Sequence, residues 1–396
     1  MKCVLISFFS SDNLGDLVIS DTLYNFVKCK VNVKKLSYEG NPVEYSDINK
    51  MIYFRKVTKK QHIKQIKRKL INMCGLEKFA DWYLKKNKRE RDIIIEKEII
   101  DSDLLIIGGG NMIFDVDKFS RSAKGFGKII DVANKNNKKV FAISIGIGPF
   151  VTKEQELQAV FALNKCDFIT FRDKKSLEIY RKHYSCDKKA FLTVDPVFLL
   201  SNHSTKIGYK SSTVIGVNLF NNKTARVNIK KYNEVLDGYV DLIHTLLNET
   251  DSKIVLFSTD LNDYSLIDEV YKKVSDPNVE VRMISGFDDL MQLYGQIKLL
   301  IGCRMHSMIM AYTQYIPVIG LSWQPKVDAF FDIIDEPQCV FKYDTIKNNL
   351  NEIIECYKIK LVNLDFEKEK IKVGLEKIRS EFRINEDIIS KLIGEK

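Results

Sequence analysis

Short apolar runs alternate along the chain with segments whose apolar positions recur at helical spacing. The runs KCVLISFF (2–9), DLLIIGGG (103–110) and KVFAISI (139–145) are typical of strands buried on both faces of a parallel sheet. After a polar, turn-rich stretch at 201–212, the same alternation starts again at residue 213. Because parallel strands need crossover helices, this pattern predicts an α/β fold with two Rossmann-like domains.

The predicted domain boundaries follow from where this alternation begins and stops. We expect an N-terminal Rossmann-like domain over residues 1–202 and a C-terminal one over 213–360, followed by C-terminal helices over 361–396. Residues 43–100 interrupt the first domain with a basic segment of helical period. A chain of 396 residues is long enough for two cores. Two such domains suit an enzyme that closes on two substrates in a cleft.

Residues 299–323 contain the densest candidate chemistry. The run LLIG predicts a buried strand, Arg304 and His306 follow in a short polar turn, and Ser307 opens a predicted helix. Ligands bind at the carboxyl ends of strands in open parallel sheets, and a helix N-terminus favours an anion. We therefore expect a phosphorylated or carboxylated substrate here, with His306 as the proton-transfer group, since imidazole titrates near neutral pH. A structural histidine is the alternative interpretation.

The polar loop SSDNLGD (10–16) follows the first predicted strand. Asn13 and Asp16 would lie at the carboxyl edge of that strand, and Gly15 would permit close backbone approach. The alternative interpretation is an ordinary strand–helix turn in which Asp12 or Asn13 caps the helix.

Three glycines end the predicted strand at 103–110, and Asn111 follows them. They match neither GxGxxG nor a P-loop, so they are a weak nucleotide signal. Gly109 and Gly110 would nevertheless let a ligand or another backbone come close.

Arg172 follows a predicted strand in the first domain, as Arg304 does in the second. An anion-binding role and an ion pair with Asp173 or Asp195 are both open interpretations. Asp195 precedes Pro196, which holds the residue before it in an extended conformation and favours a structural role.

The net charge of +10 is concentrated in one segment, since residues 55–91 contain 14 Lys and Arg against three acidic residues. A solvated helical insertion is one interpretation. The other is a surface for an anionic membrane or for a lipid-linked diphosphate acceptor. No nucleic-acid-binding module with interleaved aromatic residues is evident, so we expect no nucleic-acid partner.

The 8 cysteines stand singly, with no CxxC pair and no His/Cys cluster. This pattern predicts no metal site and a reducing compartment. No signal peptide is evident, and no apolar stretch reaches the roughly 18 residues of a membrane-spanning helix. We expect a cytoplasmic protein, and the basic segment raises peripheral attachment at the inner face of the membrane as a further interpretation.

Several short motifs occur in a fixed order between about residues 3 and 335. They are DNLGD at 12–16, the glycines at 108–110, SIGIGP at 144–149, Arg172-Asp173 with Ser176, Asp195-Pro196, GCRMHS at 302–307, and PKV at 325–327. Each is weak alone, but the ordered set resembles the polysaccharide pyruvyl transferase family. The resemblance implies a GT-B-like fold and transfer of pyruvate from phosphoenolpyruvate to two sugar hydroxyls, which gives a cyclic ketal in a cell-surface polysaccharide or its lipid-linked precursor.

The site expected from this resemblance binds a small trianionic donor and needs no cofactor beyond that donor substrate. Arginines suit its carboxylate and phosphate because the guanidinium has a forked geometry. His306, Arg304 and Asp16 are the expected catalytic residues, with Asp16 as a base or an acceptor ligand. The expected substrate-binding residues are Asn13, Gly15, Gly109, Gly110, Asn111, Arg172, Ser307 and Lys326.

Two other functions are compatible with the sequence. A GT-B glycosyltransferase with a nucleotide-sugar donor would use the same strand ends and helix N-termini for a diphosphate. A non-catalytic protein that binds carbohydrate or a membrane surface would account for the basic segment, but not for Arg304 and His306 at a strand end.

Overall fold

The structure is a computed structural model. It describes residues 1–11, 13–40, 43, 48, 90–115, 120–185, 188–202, 213–221, 229–250 and 252–394. Most of the predicted insertion at 43–100, nearly all of the basic segment and most of the predicted linker at 201–212 therefore lie outside the described residues.

The chain divides into two compact units. Unit 1 contains residues 1–11, 19–195 and 384–394, and unit 2 contains residues 13–18 and 196–383. The division falls between Asp195 and Pro196, before the predicted linker. The predicted C-terminal helical region is shared, because its last residues, from 384 onward, belong to unit 1.

Unit 1 is built on a six-stranded parallel sheet with the order β2-β1-β3-β4-β5-β6. Its strands are β1 (Lys2–Ser7), β2 (Asn32–Ser37), β3 (Leu104–Ile113), β4 (Lys139–Ile147), β5 (Phe168–Phe171) and β6 (Ala190–Leu192). Its helices are α1 (Leu14–Lys28), which begins in unit 2, α2 (90–100), α3 (Ser122–Lys135), α4 (Lys153–Leu163) and α5 (Lys174–Arg181).

Apolar side chains alternate between the two faces of this sheet. Val4 and Ile6 of β1 pack with α3 and α4 on one face, whereas Cys3 and Leu5 pack with α1 on the other. Both faces are therefore covered, as the continuous apolar runs predicted.

Unit 2 is built on a second six-stranded parallel sheet, with the order β12-β11-β10-β7-β8-β9. Its strands are β7 (Val214–Asn218), β8 (Lys253–Phe257), β9 (Val279–Val281), β10 (Leu299–Gly302), β11 (Val318–Ser322) and β12 (Val340–Lys342). The next helices are α6 (Ile229–Glu249), α7 (Tyr264–Val274), α8 (Phe287–Tyr294), α9 (Met305–Thr313), α10 (Pro325–Ile333), α11 (Leu350–Val362), α12 (Leu364–Glu381) and α13 (Arg383–Ile393).

Each sheet reverses its strand order at one point, between β1 and β3 in unit 1 and between β7 and β10 in unit 2. Ligands of doubly wound sheets bind outside the carboxyl ends of the strands at such switch points. In unit 2 the switch point lies beside the residues that follow β7 and β10, which include Arg304 and His306.

The glycines at 108–110 were expected to end their strand. They instead lie inside β3, which continues to Ile113. Pairing with β4 continues through them, since Gly110 lies opposite Ile145 and Asn111 opposite Gly146. Gly109 and Gly110 have φ values of +86° and +87°, a backbone conformation that is strained for residues with a side chain. The strand reaches Ile113, with a shift in its register against β4 between Asn111 and Ile113.

The C-terminal helix α13 closes a buried polar network in unit 1. The Asn385 side chain accepts a hydrogen bond from Thr170 (2.6 Å) and donates one to Thr193 (2.8 Å). Thr170 also accepts from the backbone N–H of Ser144 (2.8 Å), which has a φ of +46° in β4. Helices beyond the last strand thus stabilise the ends of β4 to β6. None of the helices that the structure describes is long and apolar enough to cross a membrane.

Candidate functional site

The turn after β10 brings Arg304 and His306 to the switch point of unit 2. Arg304 is extended (φ −85°, ψ 111°) and immediately precedes α9, which begins at Met305. His306 therefore lies in the first turn of the helix, not in the turn before it, and it is 8% exposed. The backbone N–H of Arg304 donates to the Asn218 side chain at the end of β7 (2.9 Å), which fixes the turn against the neighbouring strand.

The first turn of α1 belongs to the same unit. Asn13 forms an antiparallel bridge with Asp260, and the N–H of Leu14 donates to the carbonyl of Thr259 (3.2 Å). The Asn13 side chain accepts from the N–H of Gly15 (2.8 Å). The loop after β8 therefore holds the start of α1 in place.

Gly15 lies directly against His306. A methyl group on Gly15 would be 2.5 Å from Nδ1 of His306 and 2.7 Å from its Cβ. Two helices thus meet at their first turns, with the imidazole between them and Asp16 in the same turn of α1. Helix N-termini each carry about half a positive charge, so their meeting favours an anionic ligand.

The Arg304 guanidinium is held by two carboxylates. Nε and Nη2 donate to the two oxygens of Asp263 at 2.8 Å each, and Nη2 lies 3.1 Å from Asp260. Burial lowers the pKa of Arg304, but the charges of Asp263 and Asp260 outweigh burial and raise it overall. With two carboxylates against one guanidinium, the group carries a formal charge of −1, so Arg304 adds no excess positive charge.

Asp263 is fully buried, with an exposed fraction of 0%. Its carboxylate also accepts from the Ser258 hydroxyl (2.5 Å) and from the N–H of Asn221 (2.8 Å). These bonds fix the Asp263 carboxylate without any contribution from a ligand.

An aromatic stack continues from Arg304. The Phe220 ring lies 4.8 Å from the guanidinium carbon and 3.8 Å from the Trp323 ring, at 15° to it. The Trp323 indole donates to the carbonyl of Cys303 (3.1 Å). Lys326, in the first turn of α10, has its ammonium 5.9 Å from the Trp323 ring. The stack places this lysine near the same strand ends.

Ser307 makes packing contacts. Its hydroxyl is fully buried 2.9 Å from the Tyr294 hydroxyl, which also donates to the Ser307 carbonyl (2.7 Å). The predicted substrate-binding role of Ser307 has no contact here that favours it.

In unit 1, Arg172 at the end of β5 is 5% exposed and pairs with Asp195 at 2.5 Å. Of the two predicted ion-pair partners, Asp195 is the one observed. Asp173 instead caps α5 by accepting from the N–H of Ser176 (2.8 Å). A methyl group on Gly146 would lie 2.9 Å from Nε of Arg172, so this glycine leaves room for the guanidinium.

The other predicted residues of unit 1 have local structural contacts. Asn111 donates to the carbonyl of Gly148 (2.9 Å). A methyl group on Gly109 would lie 2.5 Å from the Ile19 side chain, and one on Gly110 would lie 3.2 Å from it. Close packing on α1 is therefore one reason for these two glycines.

The structure thus brings Asn13, Gly15, Asp16, Arg304 and His306 to neighbouring elements of unit 2. It places Gly109, Gly110 and Asn111 within β3 and Arg172 directly after β5, all in unit 1. Several residues that contact this site were not predicted, among them Asn218, Asp260 and Asp263. The available signal was polar residues directly after buried strands, as in Ser258-Thr259-Asp260 after β8. Across the described ranges, no group of three or more His, Cys, Asp or Glu side chains could hold a metal ion.

Solved structures share this fold. UDP-GlcNAc 2-epimerase from Neisseria meningitidis, bound to UDP-GlcNAc, is similar over 99% of this chain and 100% of that chain, at 12% identity and a TM-score of 0.57. UDP-GlcNAc 2-epimerase from Methanocaldococcus jannaschii is similar over 90% of this chain and 92% of that chain, at 12% identity and a TM-score of 0.55. At such identities the likeness shows the fold alone, and it defines a GT-B-like α/β protein with two Rossmann-like domains.

The family model for polysaccharide pyruvyl transferase matches residues 13–325. This match covers most of the chain, so the protein belongs to the polysaccharide pyruvyl transferase family. A search among curated proteins found no significant match.

Proposed function

We propose that this protein transfers pyruvate from phosphoenolpyruvate to two hydroxyls of a sugar in a cell-surface polysaccharide or its lipid-linked precursor, and so forms a cyclic ketal. Family membership supports the reaction class. The observation that carries the assignment to a site is the contact of His306 with Gly15, where the first turns of α9 and α1 meet at the switch point of unit 2.

The reaction needs four changes at the donor. A proton is added to its methylene carbon, which becomes a methyl group, and the first sugar hydroxyl bonds to the central carbon. The bond from that carbon to the phosphate oxygen then breaks and releases inorganic phosphate. The second hydroxyl bonds to the same carbon. Of the two protons that the hydroxyls lose, one replaces the proton given to the methylene carbon and the other leaves on the released phosphate. The product is a ketal that keeps the carboxylate.

His306 is the proposed proton-transfer group. An imidazole can give a proton to the methylene carbon and accept one from a hydroxyl, and such general acid–base catalysis contributes about 10²–10⁴-fold in rate. Its place between two helix N-termini suits a group that works beside a phosphate. Asp16, in the same turn as Gly15, is the proposed base or acceptor ligand.

Binding of the trianion is assigned to helix N-termini and cations. The N–H groups in the first turns of α1 and α9, together with Lys326, supply positive charge in unit 2. Because Arg304 is neutralised by Asp263 and Asp260, its contribution is geometric. Its Nη1 makes no hydrogen bond within the described part of the chain and can donate to a ligand. Arg172 keeps its predicted role as an anion-binding residue of unit 1.

The partners follow from this scheme. Phosphoenolpyruvate is the donor substrate, with no resident cofactor, and the acceptor is a sugar or a lipid-linked oligosaccharide. A cytoplasmic protein with its basic segment (55–91) at an anionic membrane surface would meet such an acceptor.

Donor-dependent thermal stability tests the proposal, because a ligand that binds the folded state raises Tm. We expect phosphoenolpyruvate to raise Tm and UDP-GlcNAc to leave it unchanged. We also expect inorganic phosphate to be released from phosphoenolpyruvate when a lipid extract of the source cells is added as acceptor. No shift and no phosphate release with phosphoenolpyruvate would contradict the proposal.

A nucleotide-sugar glycosyltransferase is the second candidate. It is favoured by the fold shared with the Neisseria meningitidis epimerase, whose structure is bound to UDP-GlcNAc, and by the Phe220–Trp323 stack, on which a base can stack. A Tm shift with UDP-GlcNAc and none with phosphoenolpyruvate would support this candidate. Binding to anionic vesicles without turnover of either donor would instead support a non-catalytic role.

A further inference from the structure

The loop between β8 and α7 contacts two parts of the site of unit 2, the first turn of α1 and the Arg304 guanidinium. Its residues 258–263 are joined to one another, since the Ser258 hydroxyl donates to Asp263 (2.5 Å) and accepts from the N–H of Asp260 (3.2 Å). Asp260 in turn caps the short 3₁₀ turn Leu261–Asp263 by accepting from the N–H of Asn262 (3.0 Å). The loop is therefore a hydrogen-bonded unit of defined shape.

This loop has two contacts at the site. On one side, the carbonyl of Thr259 and the backbone of Asp260 hold the first turn of α1, whose Gly15 lies against His306. On the other side, Asp263 and Asp260 hold the Arg304 guanidinium, two residues before His306. The contacts close a ring from the loop to α1, to His306, to Arg304 and back to the loop.

The carboxylate of Asp263 is directed to Arg304 and not to a helix terminus. Asp263 immediately precedes α7 but already has helical backbone angles (φ −84°, ψ −20°), and Asp260 caps the 3₁₀ turn that leads into that helix. The Asp263 side chain makes no capping bond. Both oxygens instead face Arg304, and one also accepts the N–H of Asn221 while the other accepts Ser258.

Arg304 itself fits an indirect role for Asp263. The carboxylate accepts hydrogen bonds from Nε and Nη2 and so fixes the plane of the guanidinium. Nη1 is left as the nitrogen that can reach a ligand. Phe220 covers a face of the same group at 4.8 Å. The guanidinium is thus fixed by the protein before a donor binds, which reduces the entropy lost on binding.

We propose that Asp263 is a positioning residue that fixes Arg304 in its donor-binding orientation, with the loop 258–263 as its support. This inference deepens the proposed function and rests on it for its activity measurement only. Asp263 touches neither donor nor acceptor, and it acts through Arg304.

The first test does not depend on the donor. The Nε–H signal of Arg304 in a nitrogen-15 NMR spectrum, assigned by its loss in Arg304→Lys, should be protected from solvent exchange in the wild type. We expect Asp263→Asn to remove most of this protection. The matched control is Asp289→Asn, which removes the charge from another aspartate that pairs with an arginine, Arg282 (2.6 Å), and also accepts from a serine hydroxyl (3.0 Å). Unchanged protection in Asp263→Asn would overturn the proposal.

The second test is a double-mutant cycle with phosphoenolpyruvate as the varied substrate. We expect Asp263→Asn to raise KM about tenfold, with a smaller change in kcat, because a coupled pair loses its interaction energy when one partner is removed. In an Arg304→Gln background, Asp263→Asn should raise KM by less than about twofold, since the residue through which Asp263 acts is gone. An equal rise in KM in the wild-type and Arg304→Gln backgrounds would show a merely structural role for Asp263 and overturn the proposal.

A milder variant keeps the inference testable if Asp263→Asn does not fold. Ser258→Ala removes one hydrogen bond to the carboxylate and leaves its charge, so we expect a partial loss of Arg304 protection and a rise in KM of about threefold. A folded Ser258→Ala protein with wild-type protection and wild-type KM would contradict the proposal. If the NMR result holds but no variant or wild-type protein uses phosphoenolpyruvate, the donor assignment fails and the positioning role stands.

Discussion

Arg172 of unit 1 and Arg304 of unit 2 occupy equivalent places, each directly after a strand of a parallel sheet, yet they are held differently. Arg172 pairs with Asp195, whose Oδ2 lies 2.5 Å from Nη1. Arg304 donates from two nitrogens to Asp263, and a second carboxylate, Asp260, lies 3.1 Å away. The first arrangement is formally neutral and the second carries one negative charge. Sequence position alone therefore does not define an anion-binding arginine.

Each unit also has a glycine that makes room for a candidate site residue. Gly146 lies against Arg172 in unit 1, and Gly15 lies against His306 in unit 2. Within the described part of unit 1, no histidine lies at a strand end beside Arg172. In the proposed function, proton transfer belongs to unit 2 and charge recognition to unit 1. The following experiments test that division.

The largest effect is expected for His306. His306→Ala should lower kcat by about 10²–10⁴-fold, because it removes the proposed proton-transfer group. Folding and phosphoenolpyruvate binding should be partly retained. Steady-state phosphate release with the lipid extract as acceptor measures the loss. His244→Ala, at an exposed position of α6, is the matched control and should keep wild-type turnover. Full activity of His306→Ala would remove this residue from the mechanism.

The two arginines should differ in stability when each is truncated. Breaking a buried ion pair costs about 3–5 kcal/mol in the free energy of unfolding, because the remaining charge stays buried. We expect the free energy of unfolding to fall more for Arg304→Ala than for Arg172→Ala. Asp263 and Asp260 lose their cation in unit 2, whereas Asp195 loses its cation in unit 1. Urea unfolding measures both values.

Arg282→Ala is the control for this pair of variants. Its partner Asp289 is partly exposed, and so the loss should be about 1 kcal/mol. Arg304→Ala should also weaken phosphoenolpyruvate binding in a Tm-shift titration. Unchanged donor affinity, or equal stability losses for Arg172 and Arg304, would break the comparison.

A methyl group at Gly15 should displace His306. In Gly15→Ala the new methyl would lie 2.5 Å from the imidazole, and a shift of about 1 Å in a catalytic group can cost 10²-fold in rate. We expect kcat to fall by about that factor while the protein stays folded. Gly127→Ala in α3 is the matched control, because its methyl would have an ordinary contact of 3.4 Å with Ala162. Wild-type kcat in Gly15→Ala would show that this contact is unimportant.

The smallest effect is expected at Asp173. Asp173 caps α5, whereas Asp263 does not cap α7, so Asp173→Ala should cost about 1 kcal/mol in the free energy of unfolding through loss of a helix cap. Lys175→Ala, an exposed change in the same helix, should cost less. A loss from Asp173→Ala as large as that from Arg172→Ala would show that Asp173 does more than cap a helix.

The strands were predictable because buried parallel strands are continuous apolar runs. LLIG at 299–302 coincides with β10. The first strand begins where it was predicted, at Lys2, and ends at Ser7, before the predicted end at residue 9. The end of β3 was not predictable in the same way. Backbone pairing with β4 does not require side chains, so the strand continues through three glycines that were expected to end it.

The site was predictable only where a residue is distinctive in its own segment. Arg304, His306 and Gly15 stand out by type and by position after apolar runs. Asp263 did not, because its partner Arg304 is 41 residues away in the sequence, and an aspartate before a helix is ordinarily explained as a cap. Long-range partners of this kind require the fold.

The measurement that tests the central claim most directly is turnover in heavy water with phosphoenolpyruvate and the lipid extract, followed by mass spectrometry of the acceptor. Protonation of the methylene carbon by the enzyme should place a single deuterium in the new methyl group of a pyruvyl ketal, with release of inorganic phosphate. An acceptor that gains a sugar residue from a nucleotide donor, or that gains nothing from phosphoenolpyruvate, would contradict the account.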